Sequence, residues 1–248
     1  MNLERVAAVV VKEARDFRRN RFVVGTMAIL PIVFLVTPLV TLFRIPDSAS
    51  GATVRSAVGA LSLLMLIVPI VIPPVIASYS VVGEREQGTL EPVLTAPVRA
   101  SELLLGKATA AFVPSVAIAY VIYFAAAIAI RFAAAHVVSD VVWHAPQMLA
   151  QILFTPLLAL WSIWVGIGIS TRASDVRVAQ QLATLAGVPL LAFTSLLTFQ
   201  VIKPTVPLAL GLALALLVVD VLAWRVVARL FDPERLITGT SAPRTSSA

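Results

Sequence analysis

Residues 83–107 read GEREQGTLEPVLTAPVRASELLLGK and separate two long apolar runs. The opening of this stretch, Glu84-Arg85-Glu86-Gln87-Gly88-Thr89-Leu90-Glu91, holds three carboxylates and an arginine. Each would cost several kcal/mol if buried in lipid. The stretch therefore belongs in water beside a membrane, and the apolar runs around it belong inside one.

The bulk composition agrees. Of 248 residues, 59% are hydrophobic and 13% charged, with a mean hydropathy of +0.96. Soluble domains carry about 25% charged residues. The length suits one integral membrane domain without a second soluble one. The formal charge of +6 is read as an orientation signal, not as a nucleic-acid footprint. With no cysteine, disulfides, thiolate metal sites and cysteine nucleophiles are excluded. No cleaved signal peptide is expected, because the first 21 residues carry three acids and six bases and the apolar run after them is too long.

Six runs are long enough to cross a bilayer, which takes about 20 helical residues. They are 22–43, 57–82, 108–130, 148–170, 182–202 and 206–230. Residues 1–21 precede them as an amphipathic helix with Leu3, Ala7, Val10, Ala14 and Phe17 on one face and Arg5, Lys12, Asp16 and Arg19 on the other. That helix either lies in the membrane interface among lipid headgroups or docks on protein as a solvated helix. The tail, 232–248, is expected to be disordered. The expected fold is all-α integral membrane.

Fifteen lysines and arginines fall in the N-terminal segment, the 82–108 connection, the connection after the fourth span and the C-terminal end, against four in the three opposite loops. The positive-inside rule puts both termini and the Gly83 stretch in the cytoplasm of a cell membrane. The opposite loops are short: Arg44 to Ser56 is a turn-rich connection, and Arg131 to Gln147 has room for a short helix. Prolines lie inside the spans, three of them (Pro69, Pro73, Pro74) in the second. They act either as a flexing kink beside the Gly83 stretch or as static packing features.

Within the stretch, Glu84 to Gln87 continues the second span as a helix and Gly88 breaks it. Thr89 then caps a short helix over Leu90 to Thr95, with Glu91 near its positive end, and Pro97 ends it. Ser101 caps the next helix, with Glu102 in its first turn. Leu90, Val93 and Leu94 give the short helix an apolar edge suited to a groove on another protein.

These residues, from Glu84-Arg85-Glu86 through Gly88-Thr89-Leu90-Glu91, Leu94 and Ala96-Pro97-Val98 to Glu102-Leu103-Leu104-Leu105-Gly106-Lys107, resemble the signature loop of ATP-binding-cassette permeases of the ABC-2 type. The interfacial helix, six spans and cytoplasmic ends extend the resemblance over nearly the whole chain. It implies a coupling helix that contacts a separate nucleotide-binding ATPase, in assemblies of two permeases, identical or paralogous, with two ATPases. Pro92 departs from the pattern, but in a first turn, where proline is tolerated.

No Walker A loop exists here: the single Gly-Lys pair, Gly106-Lys107, is followed by Ala108, and Ser101 stands where the first glycine belongs. ATP and magnesium are thus expected on the partner, with no cofactor on this chain. The connection Thr171 to Gln181, with Ser174 as its cap and Arg172, Asp175 and Arg177 as its charges, is either a second contact with the ATPase or a plain solvated loop. Asp220 is the one acid well inside an apolar run, roughly 21 Å from Val206. It is either a proton or cation site or an acid paired with Arg225, Arg229 or a neighbouring span.

His136 and His144 match no metal spacing and read as interfacial. Trp143, Trp161, Trp164 and Trp224 read as anchors or packing. Small residues spaced by four (Ala125, Ala129, Ala133; Gly166, Ser170; Gly211, Ala215) permit close helix contacts. The expected function is the permease of an exporter for a lipid-like or amphiphilic substrate. Its rivals are an ion-coupled transporter using Asp220 and a non-transporting membrane anchor for a soluble partner.

Overall fold

The computed structural model describes residues 2–88, 98–198 and 205–230, and every regular element among them is helical. In chain order they are α1 (Leu3–Arg19), α2 (Arg21–Phe43), α3 (Gly51–Ser78), a π-helical turn (Tyr79–Gly83) that runs into the short α4 (Glu84–Glu86), α5 (Ala100–Ala133), α6 (His136–Val142), α7 (Ala145–Ser170), α8 (Val176–Leu185), α9 (Val188–Thr198) and α10 (Val206–Leu230). Among the described residues, six stretches are helical, long and apolar enough to cross a membrane.

The bundle is built around α3, which packs against α2, α5, α7, α8 and α9. Its buried residues run almost continuously from Val68 to Ser78. The flanking helices are inverted in this respect. On α2, Ile29, Ile32, Val33 and Val36 are exposed, and on α10, Leu210, Leu214, Val218 and Val221. Apolar side chains turned outward over successive turns suit a lipid solvent, where burial in protein gains no hydrophobic free energy. The chain is a multi-pass membrane protein.

All three α3 prolines are buried. Pro73 and Pro74 have no N–H to return to the carbonyls of Pro69 and Ile70, so the ladder is interrupted twice in succession. Helix α7 closes on this weakened turn through Gly166, where a Cβ would lie 2.8 Å from the Ala77 Cβ and 3.6 Å from the Pro74 Cα. The kink is therefore packed against its neighbour rather than left open.

The fifth run, expected over 182–202, is described as far as residue 198. The fifth run is two helices, α8 and α9, broken at Ala186 and Gly187. Pro189 can enter α9 only in its first turn, because it lacks the N–H an interior position would use. Gly187 also approaches α3: a Cβ there would fall 2.3 Å from Ile70 Cγ2. The break and the close approach occupy the same place. The 131–147 connection holds α6, whose first turn is fixed by Asp47, with Oδ1 accepting from the His136 N–H at 2.9 Å.

Candidate functional site

At one end of the bundle α3 does not stop at the membrane run. The π turn at Tyr79–Gly83 inserts a residue into the helical path. Such an insertion rotates the residues beyond it by about 100° relative to an uninterrupted helix. Gly83 allows the tight turn, since a Cβ there would lie 2.9 Å from the Tyr79 ring. Glu84, which the sequence places at a water-facing surface, is turned inward and buried. That expectation is corrected because partners of opposite charge wait inside.

Those partners come from both sides of the stretch. Lys107, 1% exposed, sends its Nζ to Glu84 Oε2 at 2.9 Å and to Glu13 Oε1 at 2.8 Å. Lys12 adds a second cation: it bonds Glu84 directly and lies 3.2 Å from Glu13 and 3.3 Å from Asp16. Burial alone would lower the Lys12 pKa, but the Glu13 and Glu84 carboxylates outweigh it and hold the ammonium above the usual lysine range. Two cations thus face three carboxylates. A buried pair of this kind is costly to break, on the order of 3–5 kcal/mol when one partner is removed, because the other is left uncompensated.

Helix α1 supplies Lys12, Glu13 and Asp16 to this cluster, and the face it docks corrects the expected one of Leu3, Ala7, Val10, Ala14 and Phe17, because Glu13 is drawn inward to Lys107. Val6, Val9, Glu13 and Phe17 face the bundle, while Leu3, Ala7, Val11 and Ala14 face outward. The docked stripe meets α5 where Gly106 provides room: a Cβ at 106 would come within 2.5 Å of Val9 Cγ1. Helix α5 starts at Ala100, before the apolar run at 108, so Gly106 and Lys107 lie two turns inside a helix. Its cap is Arg99, not the expected Ser101. Glu102 decides this, because one oxygen accepts from the Arg99 N–H at 3.2 Å and the other from the Asn2 N–H at 2.6 Å. Arg5 lies 3.9 Å from the same carboxylate. One carboxylate therefore joins the starts of α1 and α5.

Arg85 and Glu86 are exposed and engage the connection between α7 and α8. The Arg85 guanidinium donates to the carbonyls of Ala173 at 3.1 Å and Thr171 at 3.2 Å. Glu86 Oε1 accepts from the Val176 N–H at 3.3 Å. The two connections that the sequence treats separately are one bonded unit. Within the second, Asp175 and not Ser174 caps α8, with Oδ1 accepting from Arg177 N–H at 2.6 Å and Val178 N–H at 3.2 Å. Arg172 and Arg177 are exposed. Gly88, with φ +68°, ends the extension of α3 in a left-handed conformation that glycine adopts freely. Thr89, Leu90, Glu91, Leu94 and Pro97 lie outside the described residues.

Asp220 is apart from this cluster. It is 3% exposed, and among the described residues neither carboxyl oxygen has a hydrogen-bond partner. The expected pairing with Arg225 or Arg229 is not made; both arginines are exposed. Trp164 and Trp224 stack edge-on with centroids 5.0 Å apart, and Trp143 donates to the Ala127 carbonyl at 3.2 Å. His136 opens α6 and His144 caps α7, both exposed.

Sequence reasoning missed Glu13, Lys12 and Lys107 as a cluster. Glu13 sits at i+4 from Val9 and i−4 from Phe17, so an acid occupies the docked stripe, and that is the available signal. Lys107 reads in the sequence as an orientation charge and as the end of the signature-loop resemblance, and neither reading marks it as buried. A family model described as ABC-2 type transporter matches residues 4–206 of the chain. The match includes the whole ionic cluster and ends before Asp220. No curated protein gives a significant match.

Proposed function

Because the chain belongs to the ABC-2 type transporter family, and is therefore a permease subunit of an ABC transporter, we propose that it exports a lipid-like or amphiphilic substrate with ATP hydrolysed by a separate nucleotide-binding subunit. In this reading two permeases, identical or paralogous, work with two ATPases, which hold the ATP and magnesium. Both termini and the 84–107 stretch face the cytoplasm of the cell membrane.

The observation that carries the proposal is the Lys107–Glu84 bridge at 2.9 Å. It ties the end of the α3 extension to α5, the two helices that flank the segment 89–97 in the chain. Force applied there by a moving ATPase passes to α1, to α5 and, through the π turn, to the proline-interrupted turn of α3. A segment on flexible ends would dissipate that motion. Arg85 and Glu86 extend the same base to the connection before α8, so α7 and α8 move with it. ATP binding closes the two nucleotide-binding subunits, the base shifts, and the path between permeases opens outward.

The test is a reconstituted complex in proteoliposomes. Alanine replacement of Leu90, Glu91 and Leu94 is expected to abolish ATPase capture. Replacing Lys107 by Met is expected to retain capture but to uncouple ATP hydrolysis from substrate. Capture that survives the triple replacement in a folded protein rejects the assignment of the segment.

Asp220 supports one second reading, an ion-coupled transporter, since a buried intramembrane acid with no hydrogen-bond partner among the described residues is a candidate for a proton or ion pathway. That reading requires Asp220→Asn to abolish transport and an ion gradient to drive it without ATP.

A further inference from the structure

A cavity of about 770 Å³ opens on the flank of the bundle between α7, α8 and α10. Its walls are apolar, with Trp161 and Trp164 from α7, Val178 and Leu182 from α8, and Val219 and Leu222 from α10. The aromatic wall is held in place by neighbouring helices. Trp164 stacks against Trp224, and the Trp161 Nε1–H donates to the Ala186 carbonyl at 3.4 Å.

The groove has the depth of one leaflet. Val219 and Leu230 both line it. A helix rises about 16 Å between them, and half of a typical hydrocarbon core is about 15 Å. Its polar lining is gathered at one end, in Arg172 and Ser174. That end is the charged end of the bundle, since the neighbouring carbonyls of Thr171 and Ala173 hold Arg85. The Arg172 side chain is exposed and forms no ion pair among the described residues. An apolar slot one leaflet deep, with an uncommitted guanidinium at its mouth, complements an acyl chain beneath a phosphate. A guanidinium also binds phosphate through paired N–H groups, which favours an anionic headgroup over a neutral one.

We propose that this groove holds an anionic glycerophospholipid drawn from the leaflet on the Arg172 side, with one acyl chain between α7, α8 and α10 and its phosphate on Arg172. The site assigns Arg172 to lipid instead of to a protein partner. The proposal does not rest on the ATP-coupling reading, because the lining of the groove includes neither the 89–97 segment nor the ionic cluster.

The experiment is native mass spectrometry of the full chain, purified in detergent and exposed to mixed micelles of phosphatidylglycerol or phosphatidylcholine. Three variants are compared: Arg172→Gln, Ala223→Trp, which fills the groove, and Leu214→Trp on an exposed face of α10 outside it. Thermal melting checks that each is folded. The expected result is one retained lipid per chain, with phosphatidylglycerol preferred about ten-fold over phosphatidylcholine. Arg172→Gln should equalise the two lipids, Ala223→Trp should abolish retention, and Leu214→Trp should change nothing. The proposal is overturned if the wild type shows no preference, or if Ala223→Trp retains lipid like the wild type. It is equally overturned if the wild type carries no lipid and Ala223→Trp splits a dimer, since a second copy then covers the groove. Arg172→Gln alters an exposed side chain, so the headgroup arm remains decisive even if Ala223→Trp fails to fold.

Discussion

Lys107 on α5 lies 2.9 Å from Glu84 at the end of the α3 extension, and the same ammonium lies 2.8 Å from Glu13 on α1. One buried cation thus ties three helices that are distant in sequence. Replacing it by Met leaves two carboxylates facing each other with Lys12 as their remaining cation. The expected loss is about 3–5 kcal/mol, seen as a lower midpoint in thermal unfolding in detergent. Adding Glu84→Gln and Glu13→Gln to Lys107→Met should restore most of it, since the penalty comes from uncompensated charge. A triple variant as unstable as the single one would show that the charges are not the reason.

Lys12 sets the pH window of the cluster. Burial works to lower its folded pKa, but Glu13 and Glu84 outweigh burial and raise it above the ordinary 10.5. The stabilisation it gives is therefore complete below pH 10.5 and is lost as pH rises through the higher folded value. Unfolding scans of the wild type against Lys12→Met should differ by a constant amount from about pH 6 to 9 and converge only at strongly alkaline pH. Convergence on the acid side of neutrality would contradict this sign.

The docking of α1 depends on a missing side chain. A Cβ at Gly106 would come within 2.5 Å of Val9 Cγ1 and 3.3 Å of the Val6 carbonyl oxygen. Gly106→Ala is expected to cost about 1–3 kcal/mol by overpacking, and Val9→Gly should partly rescue it, because the Val9 Cβ, 2.6 Å from the added carbon, clashes as well as Cγ1 and only glycine removes both. Limited proteolysis of the 1–21 segment, with cleavage rising in Gly106→Ala and falling again in the double variant, distinguishes this from a simple effect on helix propensity, which would favour alanine.

The outline of the fold was legible because lipid writes long apolar runs into a sequence, and the runs at 22–43, 148–170 and 206–230 correspond closely to α2, α7 and α10. Gly88 was legible as the end of the α3 extension because a left-handed residue favours glycine. The ionic cluster was not. Hydropathy separates charge from lipid but does not say which charges leave water together, and Glu84, Glu13 and Lys107 meet only after a π turn rotates the first of them. The caps at Arg99 and Asp175 were missed for a related reason. Propensity favoured Ser101 and Ser174, whereas a carboxylate three residues inside α5, and one adjacent to Ser174, offered the stronger acceptor. The break in the fifth run was hidden by its even hydrophobicity, though Gly187 and Pro189 marked it.

Arg85 joins the two connections through the Thr171 and Ala173 carbonyls at 3.2 and 3.1 Å. Both donors are exposed, so water competes and Arg85→Ala should cost only about 1 kcal/mol of global stability. The local effect should be larger. Hydrogen exchange over 171–178 is expected to accelerate several-fold in Arg85→Ala while exchange in α1 is unchanged. Equal exchange in wild type and variant would mean that the connection is held by the end of α7 itself, through bonds such as Ala173 N–H to the Ile169 carbonyl at 2.9 Å.

Asp220 gives the prediction with the widest consequence. Both its oxygens are buried, and neither has a hydrogen-bond partner among the described residues. Desolvating an ionised carboxylate without a partner is expensive, so the native structure gains nothing from its charge. Asp220→Asn, which keeps the shape and cannot ionise, should leave the unfolding midpoint unchanged or raised. ATP-driven transport in proteoliposomes should proceed in the variant as in the wild type, because the coupling base we propose is at Glu84 and Lys107 and not at α10. Transport lost in a variant that is folded and still couples to its ATPase would make Asp220 a site for a cation or proton within the path. The cost of burying that acid would then be an expense of function, and the ATP-driven and ion-driven readings would meet in a single protein.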